Sequence, residues 1–566
     1  MKRVLFVHAQ REFSLAYWVL RQAVQQYCVT DVAFFEHAYV LDDVDNQETL
    51  RIRLALLHPD VVLFSCQNWN LKAFLEVAGW VRHFWPAATI VLGGPQVSSL
   101  LAAETLLRTH QSIDFVVRGP GEIPLCGLLD TLFAGRSDNV SSLSYRDGDA
   151  VAHTAIVHTL WRRERLFTWS NIELVQRLRE VSQVSYETTR GCSSRCIYCQ
   201  YPSENCDVEM LDEKLVLEEL TFLCSFHIPH LRICDAHLGG TRERAKTILR
   251  HLAKVNRKTS IKIYPDISHV DEEYLDLVRA SGARITSIGV QSTHTPILKA
   301  IRRKSVQAFR RQIRMTLDAF PDTPADVILG LPGGGVDAFR QTLMDVRRLG
   351  FSWINVFRLT VFPGTELATN VCHFLGEGPI GNTATGVVLS SPEYPLEQQQ
   401  EIATLVAAAK LGTALRHTAV EVANRGNQPD IIRLLTQMDA ALLHRLATEV
   451  ENLRTPVPLL EDIFVLSTAV VKLAGYTPAL VTALCFDILT RAKWICARNK
   501  ATHFIWANED QLVPVSLVVA RGGGILFSWE LEKQSISTIG NEKDASGNGE
   551  KYLFFDLDVF DGREEK

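Results

Sequence analysis

The amino-acid sequence predicts an α/β fold in three parts: an N-terminal doubly wound, Rossmann-like sheet, a central partial (β/α)6 TIM-like barrel, and a C-terminal, mainly helical α+β domain. Three observations predict it. Short apolar runs alternate with segments of helical periodicity over roughly the first 370 residues. These runs end in glycine-rich or polar turns. Beyond residue 392 the alternation gives way to a long helical pattern and then to strand-like stretches.

Length and charge set limits on function. At 566 residues and 47% hydrophobic composition the chain can bury several cores. Net charge is −5 and no Lys/Arg run or basic stripe stands out, so nothing predicts a nucleic-acid footprint and a small molecule or a peptide is the expected substrate. The opening "MKRVLFVHAQREF" holds an apolar run too short for a signal sequence, and no stretch approaches the roughly 20 apolar residues of a membrane span. A cytoplasmic location without membrane contact is therefore expected. There thiols stay reduced, and a tight cysteine cluster points to metal before disulfides.

The N-terminal domain is expected over residues 1–150. Its strand candidates are "RVLFV", "DVVLFSC", "TIVLGG" and "DFVVRG", with helical patterns such as "LKAFLEVAGWVRHFWP" between them. Ligands of doubly wound sheets bind beyond the carboxyl ends of the strands, which places candidates in Phe64 to Asn70, Gly93 to Ser98 and Arg118 to Glu122. Glycines there would let a large or phosphate-bearing ligand approach the backbone. Residues 151–181 read as a linker.

The barrel is expected over residues 182–375. Six strand candidates, "VSYETT", "HLRICD", "IKIYPD", "ITSIGVQS", "ADVILGLP" and "INVFRLTVF", alternate with helical segments. Directly after the first stands "TTRGCSSRCIYCQYPS", which places Cys192, Cys196 and Cys199 within eight residues. Three thiolates on one loop can hold zinc with a fourth ligand, for which Cys206 is the nearest candidate, or three irons of a [4Fe–4S] cluster, leaving one iron open. The other cysteines are scattered through apolar surroundings and read as small core residues. Residues 390–566 form the third part: helical to about residue 500, a hairpin around the glycines of "PVSLVVARGGGILFSWELE", a polar linker, and "YLFFDLDVF" as a returning strand.

These motifs carry a resemblance. "FSC", "WN", "LGGP" and "VS" at successive strand ends, followed by the cysteine triplet and "GVQST", resemble cobalamin-dependent radical S-adenosylmethionine (SAM) enzymes over residues 1–370. The resemblance implies a [4Fe–4S] cluster on Cys192, Cys196 and Cys199, whose open iron chelates SAM, and a cleavage that yields methionine and a 5′-deoxyadenosyl radical. For SAM it implies Tyr198, Gln291, Ser292, Gly330 and Phe362. The usual Gly-Gly-Glu after the second strand is replaced by "ICDAHLGG", and Asp235 is expected to take over the ammonium contact. For cobalamin it implies Ser65, Trp69, Gly93, Gly94, Pro95, Gln96, Val97, Ser98, Gly119, Gly121 and Glu122, with Gly93 to Ser98 along the nucleotide tail and Trp69 near the lower face of the ring. "DAHLGG" matches the Asp-x-His-x-x-Gly pattern that places a histidine on cobalt, but it follows the cysteine cluster, so no histidine on cobalt is expected.

The function implied is methyl transfer from SAM through methylcobalamin to a carbon of a small-molecule or peptide substrate, in specialised metabolism, with flavodoxin or ferredoxin as electron donor. Two alternatives share the cofactors. One is a non-methylating rearrangement, ring contraction or cyclisation; the other is polar, non-radical methylation. The C-terminal domain is expected to cap the barrel and select the substrate.

Overall fold

The computed structural model describes residues 1–10, 12–41, 45–135, 140–156, 164–201, 208–351, 353–376, 380–381, 386–399, 401–402 and 405–406, and four strands between residues 502 and 555. Two compact units are distinguished. One comprises Met1–Thr323, Ile328–Gly335 and Phe357–Leu396; the other comprises Pro324–Val327, Val336–Val356 and Glu397–Lys566.

The chain opens with β1 (Lys2–His8), α1 (Leu15–Tyr27), β2 (Val32–Ala38), α2 (Asn46–Leu57), β3 (Val61–Ser65), α3 (Leu71–Phe84), β4 (Thr89–Gly93), α4 (Leu100–Thr109), β5 (Phe115–Val117) and α5 (Glu122–Ala134). A hairpin of β6 (Leu143–Asp147) and β7 (Ala150–His153) follows. Together they build a seven-stranded sheet in the order β2-β1-β3-β4-β5-β6-β7. The first five strands pair in parallel and the hairpin is antiparallel.

Strand periodicity explains the two cores. Val4 and Phe6 of β1 face one apolar cluster, with Tyr17, Trp18 and Leu125, while Leu5 and Val7 face the other, with Phe64, Phe74 and Leu92. The four predicted strands are present. The sequence reading missed β2, whose "VAFFEHA" alternates weakly, and the β6–β7 hairpin, whose polar strands carry little apolar signal.

After α6 (Ile172–Glu180) come β8 (Gln183–Tyr186), the short pair β9 (Thr189–Arg190) and β10 (Glu209–Met210), α7 (Glu213–Ser225), β11 (His230–Ile233), α8 (Arg242–Val255), β12 (Ser260–Ile263), α9 (Glu272–Ala280) and β13 (Ala283–Ile285). The order β13-β12-β11-β8 is parallel throughout. The run "ITSIGVQS" does not form one strand. It divides into β13 and β14 (Ile288–Gln291), because the Thr286 N–H still donates to the Ile263 carbonyl (2.8 Å) before the backbone leaves β12. Next come α10 (Thr295–Ala300), α11 (Arg310–Ala319), β15 (Ala325–Leu329), α12 (Val336–Arg348) and β16 (Ile354–Arg358), and a second sheet runs β14-β15-β16. Six βα repeats are thus arranged as the sequence predicts.

Short elements α13 (Glu366–Thr369), α14 (Val371–Leu375), β17 (Ile380–Gly381) and β18 (Val388–Ser390) follow. The helical stretch expected up to about residue 500 and the polar linker lie outside the described residues. The glycine hairpin and the returning strand are present: β19 (Thr502–Asn508), β20 (Gln511–Val519), β21 (Ile525–Trp529) and β22 (Lys551–Phe555) form an antiparallel sheet in chain order. No helix among the described residues is long and apolar enough to cross a membrane.

Within the first unit, the apolar cluster under β1 continues without a break through Phe167 and Tyr186 into the barrel core at Leu231 and Ile261. Polar clamps fix this junction. The Glu12 carboxylate accepts from the Ser182 N–H (2.6 Å), the Ser182 hydroxyl (2.7 Å) and the Gln183 N–H (2.8 Å), and the Ser182 hydroxyl leads in holding its pKa low. The buried Glu219 accepts from the Leu166 N–H (2.6 Å), the Phe167 N–H (3.2 Å) and the Tyr186 hydroxyl (2.8 Å). Removing that acceptor strands three donors in the core. Glu219→Ala should cost about 3 kcal/mol in denaturant unfolding, with Glu219→Gln costing less than half as much because it keeps an acceptor oxygen.

Candidate active site

Three turns of the N-terminal sheet meet in one place. Gly94 has φ +103°, and a Cβ there would lie 2.5 Å from the Cys66 carbonyl oxygen and 3.0 Å from its nitrogen, so only glycine lets these two strand ends touch. The Cys66 N–H donates to the Gly93 carbonyl (2.7 Å), and the Ser98 hydroxyl donates to the Gly94 carbonyl (2.8 Å). The buried Asn70 shapes the neighbouring loop: its Oδ1 accepts from the Gln67 N–H (2.7 Å) and its Nδ2 donates to the Ser65 carbonyl (3.0 Å).

A cavity of about 660 Å³ lies against these turns. Ser65, Gln67, Gly93, Gly94, Pro95, Gly119, Gly121 and Glu122 form one wall, and apolar residues such as Phe6, Val19 and Leu125 also line it. Glu187, Thr189, Arg190, Gly191, Gln200, Tyr201 and Cys234 face it from the barrel side. Of the other residues singled out from the sequence, Gln96 and Val97 are buried in the turn, while Trp69 is half exposed and outside the lining. His237 of "DAHLGG" is likewise outside it.

The cysteine loop follows β9. Cys196 is buried and the other two thiols are partly buried. Each sulfur has an N–H donor: Ser194 N to Cys192 Sγ (3.4 Å), Tyr201 N to Cys199 Sγ (3.5 Å), and Arg303 Nη1 to Cys196 Sγ (3.7 Å). Donors of this kind suit sulfurs that carry negative charge, as cluster ligands do. Burial pushes the Cys192 thiol up and the Cys199 thiol to about 11, so binding of a metal would have to displace their protons. Among the described residues no three His, Cys, Asp or Glu side chains already form a metal-holding group. Cys206, the candidate zinc ligand, lies outside the described residues.

The residues expected to meet SAM are distributed over this loop and later strand ends. Tyr198 lies within it, and burial raises its pKa. Gln291 has φ +64°, an uncommon conformation for a side-chain-bearing residue, and ends β14 beside the buried Ser292. Gly330 has φ +91°, and Phe362 accepts from the Thr365 hydroxyl through its carbonyl (2.7 Å). The Leu367 N–H donates to the Ile197 carbonyl (2.9 Å), tying α13 to the cysteine loop.

Asp235 is buried, and its carboxylate already accepts from the Thr188 N–H (2.7 Å) and hydroxyl (2.5 Å), the Thr189 N–H (3.1 Å) and the Gly239 N–H (2.9 Å). It links the end of β11 to the strand that enters the cysteine loop. Burial nevertheless outweighs these donors and raises its pKa.

Comparison with known proteins matches this geometry. The family model "Radical SAM superfamily" matches residues 186–346, and "B12 binding domain" matches residues 14–129. The chain joins a B12-binding domain to a radical SAM core. It is 25% identical over 359 residues to the 2-(S-pantetheinyl)-carbapenam-3-carboxylate methyltransferase of Streptantibioticus cattleyicolor, covering 59% of this chain and 51% of that protein. It is 24% identical over 340 residues to the cobalamin-dependent radical SAM methyltransferase TokK of Streptomyces tokunonensis, covering 56% and 49%. It thus spans about half the length of these curated relatives. The fold is also that of the radical SAM methyltransferase TsrM from Kitasatospora setae, solved with cobalamin and a [4Fe–4S] cluster: TM-score 0.58, 18% identity, 79% of this chain and 100% of that one. A similar likeness holds to the cobalamin-dependent SAM radical enzyme OxsB: TM-score 0.58, 16% identity, 88% and 80%.

Three polar residues of this site escaped the sequence reading. Arg190 pairs with the buried Glu122 (2.6 Å) and with Glu187 (2.8 Å), so it spans the cavity between the two domains. Burial works against its charge, but the two carboxylates outweigh that and raise its pKa. Gln200 bridges two turns, and Arg303 donates both to Cys196 Sγ and to the Gly289 carbonyl (2.5 Å). A Cβ on Gly289 would meet Gln291 Nε2 at 2.6 Å and Arg303 Nη2 at 3.3 Å, so that glycine makes room for both. Adjacency to the cysteines was the only available signal for Arg190 and Gln200, and Arg303 stands more than a hundred residues beyond the triplet with no motif to mark it.

The two central glycines should differ in tolerance. Gly94→Ala combines a left-handed conformation with a backbone collision and should cost about 2 kcal/mol or more. Gly93→Ala, whose nearest neighbour would be 3.9 Å away, should be close to neutral in the same denaturant titration.

Proposed function

We propose that this protein is a cobalamin-dependent radical SAM methyltransferase that places a methyl group on a carbon of a small-molecule or peptide substrate, with flavodoxin or ferredoxin as electron donor. One observation carries the reading: a single cavity has the glycine turns of the B12-binding domain on one wall and the residues flanking the cysteine loop on the other. The two curated methyltransferases named above support it, since both match this chain at about a quarter identity.

The residues present fit the two groups. Cys192, Cys196 and Cys199 would hold three irons, with Ser194, Tyr201 and Arg303 donating to their sulfurs. The partly buried Arg303 guanidinium would offset the negative charge of such a cluster. Gly93, Gly94, Pro95, Gly119 and Gly121 leave backbone open to a corrinoid, and Ser65 and Glu122 add polar atoms to the lining. When bound, the cluster would supply an electron to SAM and the cobalamin a carrier for the methyl group. Tyr198, Gln291, Ser292, Gly330 and Phe362 are the residues proposed to hold SAM. Asp235, with its carboxylate taken up by Thr188, Thr189 and Gly239, orders the loop beside them.

Anaerobic reconstitution should give about four irons and four sulfides per chain, and alanine at Cys192, Cys196 or Cys199 should abolish SAM cleavage. One zinc in place of iron would refute the cluster. Hydroxocobalamin retention should fall in Gly93→Phe, where a bulky ring enters the cavity. With SAM labelled in its methyl group, label should appear in the product; an unlabelled product would indicate rearrangement, and labelled product without 5′-deoxyadenosine would indicate polar methylation.

A further inference from the structure

Gln200 directly follows the last cysteine of the triplet, and its side-chain amide nitrogen lies 3.1 Å from the Pro95 carbonyl oxygen and 3.2 Å from the Pro363 carbonyl oxygen. A glutamine amide carries two N–H donors, and here both acceptors are carbonyls, so the orientation of the NH2 group is dictated by chemistry. Pro95 belongs to the glycine turn at the cavity wall. Pro363 follows Phe362 and precedes Gly364, another glycine at positive φ (+80°). One side chain therefore joins three loops: the cysteine loop, the cobalamin-side turn and the turn proposed to meet SAM.

Neither turn is free to drift in other directions. Gly94 is pressed against the Cys66 backbone, and the Thr365 N–H and hydroxyl both close on the Phe362 carbonyl (3.3 and 2.7 Å). Each turn is internally stiff, so a link between them sets their separation instead of being absorbed by local bending. The link is also short, because Gln200 is anchored next to Cys199, whose N–H donates to the Cys196 carbonyl (3.2 Å).

We propose that Gln200 is a positioning residue that sets the spacing between the cysteine loop, the Gly93–Pro95 turn and the Pro363 turn, and so couples SAM cleavage at the cluster to methyl transfer onto the corrinoid. The second half of this statement rests on the function proposed above; the first does not.

The test has two arms. In the full chain without added cofactors, Gln200→Met keeps the side-chain volume and removes both donors. Amide hydrogen exchange should then rise about fivefold in peptides covering residues 93–98 and 363–367, with β1 unchanged. Gln200→Lys, whose ammonium can donate to both carbonyls, should restore protection. Unchanged exchange in the methionine variant, or looser turns in the lysine variant, would overturn the positioning role; the lysine variant also decides the matter if the methionine variant misfolds.

The second arm uses protein reconstituted with iron, sulfide and hydroxocobalamin, given SAM and a chemical reductant without substrate. Gln200→Met should form S-adenosylhomocysteine about fivefold more slowly relative to 5′-deoxyadenosine than the unaltered chain. An unchanged ratio would overturn the coupling. If the unaltered chain forms neither product, the function proposed above fails, while the exchange result still decides the positioning role.

Discussion

The ion pair between the partly buried Arg190 and the buried Glu122 is the contact on which the rest of the site depends. Arg190 stands two residues before Cys192, and Glu122 opens α5 just after the Gly119–Gly121 turn. Carboxylates meet this partly buried guanidinium on two sides, from Glu122 and from Glu187, and offset what its desolvation costs. Loss of Glu122 would cut the tie to the sheet while Glu187 still balanced the guanidinium. The pair therefore ties the start of α5 to the segment that leads into the cysteine loop, and both of its members line the cavity. Glu12 on the Ser182 backbone and Glu219 on residues 166 and 167 hold the same junction from below.

Backbone chemistry and side-chain chemistry divide the site between them. On the sheet side Gly93, Gly94, Gly119 and Gly121 expose backbone among apolar side chains, and Gly94 brings two strand ends into contact. On the barrel side the wall is charged and polar, and behind it three thiols each face an N–H donor. The first surface suits a large, flat ligand that packs against backbone. The second suits an anionic cluster. Asp235 shows how the barrel side is ordered: a buried carboxylate collects four donors from three residues and so fixes the chain just before the cysteines.

Much of this was legible in the sequence, for physical reasons. Parallel strands buried on both faces read as unbroken apolar runs, which is why "VVLFS" and "TIVLG" were plain while the mixed β2 and the polar β6–β7 hairpin were not. The "ITSIGVQS" run looked like one strand because apolar spacing does not register a change of pairing partner. The cysteines were legible by spacing and the glycines by position at strand ends. Arg190, Gln200 and Arg303 were not, since a polar residue acquires its role from what stands opposite it in space, and periodicity holds no record of that. Asp235 was found by its place in the chain, but the donors that occupy it come from residues 47, 46 and 4 positions away.

On the function proposed above, one chain holds cluster and corrinoid across a single cavity. Electron paramagnetic resonance of the full chain, reconstituted with iron, sulfide and hydroxocobalamin and then reduced, tests it most directly. The reduced cluster should enhance the relaxation of the cob(II)alamin signal, and pulsed dipolar measurement should give one narrow cluster–cobalt distance. Two signals that relax independently, or a cobalt signal that leaves with the small molecules on gel filtration, would contradict it.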